Sequence, residues 1–65
     1  MLNLERQEEI LRLLESHGSA TVHRLSGLLY VSPPTVRRDI TALEKQGKVL
    51  RTHGGVVLRK TAESE

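Results

Sequence analysis

Residues 31–40 read VSPPTVRRDI, and this stretch contains the boundary that decides the fold. Ser32 is a residue type that caps helix N-termini, and proline suits the first helical position because its missing N–H has no intrahelical partner there. Pro34 is tolerated for the same reason, but it disfavours a helical conformation at Pro33. The stretch therefore predicts a helix whose start is fixed to within one residue of Ser32.

Two sides of this helix differ sharply in character. Val36, Ile40 and Leu43 recur at i, i+4 and i+7 and form an apolar stripe, and Gly47 follows as a left-handed stop near Gln46. At 100° per residue, the opposite side carries residues that are polar, basic or proline. These residues are Pro34, Arg38, Thr41 and Lys45.

The flanks of the same helix carry three more polar residues. Arg37 lies to one side of the basic face, and Thr35 lies to the other. Asp39 is nearer the core, so we expect it to pair with an arginine or a backbone group. A rigid start followed by an exposed Thr/Arg face is typical of a helix that enters a DNA major groove. Paired arginines alone are more often plain solvated surface, so the rest of the architecture has to decide.

Two other helical patterns precede this helix. The first can be capped by Asn3 and runs through Ser16, with His17 and Gly18 at its end. The second is capped by Thr21 and ends near Leu29. We expect its inward residues to be Val22, Leu25, Leu28 and Leu29.

Strand-forming residues take over after Gly47. The runs 48–52 and 56–59 are β-rich, and residues 53–55, His-Gly-Gly, supply the positive-φ positions that a hairpin needs. Residues 19–20 can add a short strand. The predicted fold class is α+β, a three-helix winged helix-turn-helix with a C-terminal β-hairpin wing. We predict one domain over 3–58, with the helix-turn-helix at about 20–39, and a polar linker or tail over 59–65.

The amino-acid composition limits the functions that this chain can have. A chain of 65 residues with no cysteine, tryptophan or phenylalanine and a single tyrosine must use a small aliphatic core. It almost lacks the aromatic platforms on which single-stranded nucleic acids stack, whereas duplex binding stays open. No apolar run reaches membrane-spanning length, and the N-terminus does not resemble a signal peptide, so we expect a cytoplasmic protein without membrane contact.

Charge is distributed unevenly along the chain. Two arginines against four glutamates give residues 1–18 a net charge of −2, whereas eight basic residues against two acidic ones give residues 19–60 a net charge of +6. Such polarisation is expected when one face meets a polyanion. A solvated mixed-charge surface is the alternative, and charge alone does not separate the two.

The ordered run VSPPTVRRDITALEKQGKVLRTHGG resembles the N-terminal DNA-binding domain of DeoR-family bacterial transcription regulators. The resemblance covers roughly residues 3–58 and includes the wing pattern R-x-H-G-G. It implies double-stranded DNA as the partner, often at a sugar-metabolism operon and with repression as the outcome. It also implies that this chain is a fragment or isolated domain. A C-terminal domain outside it would bind a sugar-phosphate effector and mediate any homo-oligomer, and the protein would act at the bacterial nucleoid.

Together these arguments define a set of predicted DNA-contacting residues on the third helix and the wing. They are Ser32, Pro34, Thr35, Arg37, Arg38, Thr41, Lys45, Arg51, His53 and Gly54. Two positions depart from the family pattern. Tyr30 stands where Gly, Asn or Asp is usual and would be strained in a left-handed conformation, and Pro34 gives up an N–H that could face phosphate.

Other functions find little support in the sequence. The three histidines lack i, i+4 spacing and cysteine neighbours, and no serine has a nearby base, so we predict no metal site, no cofactor and no catalytic residue. The alternative function is a winged helix that binds a protein instead of DNA, because a fold does not fix a function. Such a module should expose an apolar patch on the third helix.

Overall fold

A computed structural model describes residues 3–59. They form three helices and one small sheet, in the order α1, β1, α2, α3, β2, β3. The elements are α1 (Asn3–His17), β1 (Ser19–Ala20), α2 (Val22–Leu29), α3 (Pro33–Lys45), β2 (Val49–Thr52) and β3 (Gly55–Leu58). The predicted α+β winged helix-turn-helix is confirmed. The tail predicted over 59–65 lies, beyond Arg59, outside the described residues.

Single residues define both ends of the connection between α1 and α2. Gly18 has φ 84°, and its N–H donates to the Leu14 carbonyl at 2.7 Å, which ends α1. Thr21 then caps α2, since its Oγ1 accepts the Arg24 N–H at 3.0 Å. Asn3 is the first residue of α1 instead of a residue before it, and its side chain accepts a hydrogen bond from Arg6.

Helix α3 begins at Pro33, so the double proline lies inside the first turn. Ser32 has the extended backbone of an N-cap, but its side chain makes no capping hydrogen bond. At the other end Gly47 has φ 76°. The Gly47 N–H donates to the Glu44 carbonyl and the Lys48 N–H donates to the Leu43 carbonyl, which is the Schellman pattern. Helix α3 is therefore held firmly at its C-terminus.

The three strands form an antiparallel sheet in the order β1-β3-β2. Val56 in the central strand faces Ala20 on one side and Arg51 on the other. Residues 53 and 54 form the hairpin turn, and Gly54 has φ 87°. Gly55, predicted as another turn residue, instead starts β3. The predicted short strand at 19–20 is confirmed and ties the wing to the helical part.

The core is aliphatic and draws on every element. Its buried members are Ile10, Leu14, Ala20, Leu25, Leu29, Val36, Ile40, Leu43, Val49 and Val56. The prediction that Leu28 points inward is wrong, because 44% of its surface is exposed. The buried pair of α2 is Leu25 and Leu29, one turn apart, and Leu28 lies beside that stripe.

Among residues 3–59, no helix is both long enough and apolar enough to cross a bilayer.

Candidate nucleic-acid interface

The joint between α2 and α3 is built around Tyr30. Its backbone adopts the left-handed conformation at φ 58° and ψ 40°, and its N–H donates to the Ser26 carbonyl. The Val31 N–H donates to the same carbonyl at 3.2 Å, and the Ser26 hydroxyl donates to the Val31 carbonyl at 2.5 Å. The sequence left the conformation of Tyr30 open, and the structure shows the left-handed one. Since 93% of Tyr30 is exposed, its ring gains nothing from packing.

A buried ion pair fixes α3 against α1. Arg6 donates through Nε to Asp39 Oδ2 and through Nη2 to Asp39 Oδ1, the latter at 3.1 Å. Arg6 Nη2 also donates to Asn3 Oδ1 at 2.7 Å. Both charged residues are buried. The hydrogen bond to Asp39 raises the pKa of the Arg6 guanidinium and outweighs the opposing effect of burial, so Arg6 stays charged.

The residues next to Asp39 face solvent. Arg37, Arg38 and Lys45 are exposed, and none of their side chains is hydrogen-bonded or ion-paired to another residue within 3–59. Asp39 lies between the arginines and the buried side of α3, and its pairing to Arg6 sets the rotation of the helix. The three cations are therefore presented on one rigid surface.

The first turn of α3 adds polar groups beside these cations. Pro34 is exposed and Thr35 is half-buried. The hydroxyls of Ser32 and Thr35 lie 3.0 Å apart in a hydrogen bond. With prolines at 33 and 34, this turn offers side-chain hydroxyls in place of two backbone donors.

The wing is attached to α3 through Arg51. Its Nη2 donates to Thr41 Oγ1 at 2.6 Å, and its Nε lies 3.1 Å from Glu44 Oε1. The Thr41 hydroxyl in turn donates to the Arg37 carbonyl at 2.9 Å. A chain of hydrogen bonds thus runs from the wing to the backbone of α3, and the Thr41 hydroxyl both donates and accepts within it.

The tip of the wing is open on one side only. His53 is exposed, and a Cβ added at Gly54 would meet no heavy atom within 4 Å. A Cβ at Gly55 would lie 3.1 Å from the Ala20 carbonyl oxygen. Gly54, one of the predicted DNA-contacting residues, therefore has open space beside it, whereas Gly55 lies against β1.

Similarity to known proteins bears directly on this surface. A sequence model of the DeoR-like helix-turn-helix domain matches residues 6–62. The chain belongs to the DeoR-like helix-turn-helix family. The predicted family resemblance is confirmed. No solved structure matches the chain.

Several relatives of this DeoR-like domain are named as regulators. It is 44% identical to the HTH-type transcriptional regulator GolR of Listeria innocua over 97% of this chain and 25% of that protein. It is 51% identical to the L-fucose operon activator of Escherichia coli over 75% of this chain and 20% of that protein. It is 41% identical to the HTH-type transcriptional repressor GlcR of Bacillus subtilis over 89% of this chain and 22% of that protein. The chain thus spans about a quarter or less of the length of these three relatives. They are named as transcription regulators and not as enzymes.

Sequence reasoning left unidentified two residues that hold this DeoR-like surface in place. Arg6 is 33 positions from Asp39, and no local pattern links them. Its one signal is an arginine at a position where α1 should be turning apolar residues inward. Glu44 was counted only as charge, although it holds Arg51. Their partners become clear only when the angle between the elements is known.

Proposed function

We propose that this domain, residues 3–58, binds double-stranded DNA in a sequence-specific manner, with α3 in the major groove. The observation that carries the proposal is that Arg37, Arg38 and Lys45 are exposed and unpaired on α3. The buried side of this helix is fixed to α1 by the Arg6–Asp39 ion pair. Unpaired cations on a rigid helix are suited to base edges and phosphates, because the helix backbone is already ordered and no internal ion pair has to be broken before they bind. Membership of the DeoR-like family supports the same function.

Within α3, the two arginines take different roles. Arg38 lies opposite the buried stripe and reaches deepest into the groove, where its guanidinium can bond O6 and N7 of a guanine. Arg37 lies about 100° around the helix and meets a phosphate at the groove edge. Thr35 and Ser32 in the first turn contact phosphate or a thymine methyl, with Pro34 packing beside them. Lys45 meets the backbone farther along the duplex.

The wing supplies contacts outside the major groove. Arg51, His53 and Gly54 approach the phosphate backbone or the minor groove, and Gly54 leaves the space for that approach. Arg51 also donates to the Thr41 hydroxyl, which joins the wing to α3. Arg51 therefore both positions the wing and lies at its DNA-facing edge.

The full-length protein is proposed to be a bacterial transcription regulator of a sugar-metabolism operon, acting in the cytoplasm at the nucleoid. The relatives named for L-fucose and as repressors support this class. Repression is the simpler outcome, because a bound domain can block a promoter by occupancy alone. We propose that a further domain binds a sugar-phosphate effector and carries any homo-oligomer contact, while residues 59–65 serve as a polar linker.

A protein-binding module is the alternative, and the exposed apolar residues argue against it. The large apolar side chains exposed within residues 3–59 are Leu4, Leu28, Tyr30 and Leu50. None lies on α3, where such a module should present its patch. The surface of α3 is basic and hydroxylic instead.

Selection from a random pool of duplexes tests the proposal most simply. The domain should enrich one motif, and a duplex with that motif should bind at least about 1000-fold more tightly than a scrambled duplex at physiological salt. Binding with no enrichment would reduce the domain to a nonspecific binder. Absence of binding to any duplex would favour the protein-interaction alternative.

A further inference from the structure

A cleft separates α2 from the wing and carries residues that the DNA-binding prediction left out. It consists of two adjoining parts, of about 430 and 310 Å³, that share Thr21, Thr52 and both wing glycines. We call it the α2–wing cleft. Its inner part is lined by Arg37 and Arg51 together with His23, and its outer part by Arg24 and His53.

The charge of this cleft has one sign. None of the residues lining either part is an aspartate or a glutamate. The side chains of His23, Arg24 and Arg37 have no hydrogen bond or ion pair with any other described residue. Arg51 alone has an acidic partner, Glu44, which binds it from α3 and does not line the cleft. A cleft with cationic walls and no internal counter-charge favours an anionic ligand.

A groove on the α1 side of the domain provides the contrast. Its volume is about 750 Å³, and its walls mix Glu8 and Glu15 with Arg12, Lys48 and Arg59. Acidic and basic groups there offset one another. The one-signed charge of the α2–wing cleft is therefore a local property and does not follow from the net charge of the domain.

We infer that the α2–wing cleft binds the phosphodiester backbone of the same duplex that α3 reads, with Arg24 and His23 as additional phosphate ligands. This rests on the proposed function. Arg37 belongs to both surfaces, since it lies on the flank of α3 and lines the inner part of the cleft. A strand that leaves the major groove past Arg37 continues along the cleft toward Arg24 and His53. Helix α2 then clamps the backbone from one side while the wing closes from the other.

Arg24 offers the cleanest test because it is exposed and its side chain supports no other residue. The matched control is Arg59→Ala, which removes the same charge from an exposed arginine in the mixed groove. Affinity for the preferred and a scrambled duplex is measured over a series of salt concentrations. Arg24→Ala should weaken both duplexes by the same factor and reduce the slope of log affinity against log salt by about 0.9, the value for one phosphate. Arg59→Ala should leave the slope unchanged.

Neutral methylphosphonates placed one at a time along the preferred duplex then locate the contact. The wild-type domain should lose affinity at a phosphate outside the α3 contact, and Arg24→Ala should be insensitive to that same replacement. Equal slopes for Arg24→Ala and Arg59→Ala, or no phosphate coupled to Arg24, would overturn the inference while leaving sequence-specific binding intact. A wild-type domain that binds no duplex would overturn both.

A small phosphate ester is the other possible occupant, since it shares the chemistry of the backbone. Inorganic phosphate at constant ionic strength should leave the NMR signals of His23 and Arg24 unchanged, whereas the duplex should shift them. Saturable shifts with phosphate alone would assign the cleft to a small ligand and contradict the backbone contact.

Discussion

Arg6 on α1 and Asp39 on α3 form a buried bidentate ion pair, and Asp39 directly follows the two arginines of the basic face. The pair fixes how α3 is rotated relative to the core. Because Arg37 and Arg38 are neighbours of Asp39, the same contact sets the direction of their Cα–Cβ bonds. The orientation of the basic face is thus determined from the opposite side of the helix.

Breaking this pair should be costly. Asp39→Ala leaves a buried guanidinium without its counter-charge and should lower the free energy of unfolding by about 3–5 kcal/mol. Urea denaturation measures the change. Glu9→Ala, which breaks the exposed Arg12–Glu9 pair, is the control and should cost less than about 1 kcal/mol. Similar small losses in both variants would show that the buried pair does not lock α3.

The domain should be less stable with tyrosine at position 30 than with glycine there. Tyr30→Gly relieves the left-handed backbone and loses no packing, so it should stabilise the domain by up to about 1 kcal/mol. For a domain of this size, that corresponds to a rise in Tm of up to about 4–8 °C. Tyr30→Ala keeps the backbone strain and should melt close to the wild type. An unchanged or lower Tm for the glycine variant would contradict this explanation.

Structural features that depend on residues close together in the sequence could be predicted, whereas features that depend on distant residues could not. Pro33, Gly47 and Thr21 act within one turn of the chain, so the helix boundaries followed from them. The strain at Tyr30 was predictable for the same reason. The partner of Asp39 was not, since side chains 33 residues apart meet only after α1 packs on α3. Leu28 was misplaced because a short helix offers too few turns to define its buried side.

Alanine substitutions at Gly27 in α2 and at Gly55 in β3 should change the stability of the domain in opposite directions. Gly55→Ala places a methyl group 3.1 Å from the Ala20 carbonyl oxygen and should destabilise the domain by about 1–3 kcal/mol. Gly27 lies within α2 with no heavy atom within 4 Å of an added Cβ, so Gly27→Ala should stabilise by about 0.5–1 kcal/mol. Thermal unfolding of both variants measures the difference. Stabilisation in both would mean that β1 and β3 can separate without cost, and destabilisation in both would mean that α2 needs glycine at position 27.

Arg51 should contribute affinity without sequence preference. Arg51→Ala removes a wing cation and its hydrogen bond to Thr41, and it should weaken preferred and scrambled duplexes by the same factor. Arg51→Lys keeps the charge but cannot reproduce the two-pronged contact with Thr41 and Glu44, so it should restore only part of the affinity. Fluorescence anisotropy with both duplexes measures this. Loss of affinity for the preferred duplex alone would instead make Arg51 a reader of sequence.

The central claim is that α3 reads bases through Arg38 and holds the backbone through Arg37. Selected motifs and salt slopes, compared for the wild type, Arg38→Ala and Arg37→Ala, test it most directly. Arg38→Ala should cost about 1–3 kcal/mol on the preferred duplex and erase the preference at one base pair. Arg37→Ala should keep the motif, weaken every duplex and reduce the salt slope by about one. If both variants keep the full motif and change the slope equally, both arginines contact only the backbone, and the claim is wrong.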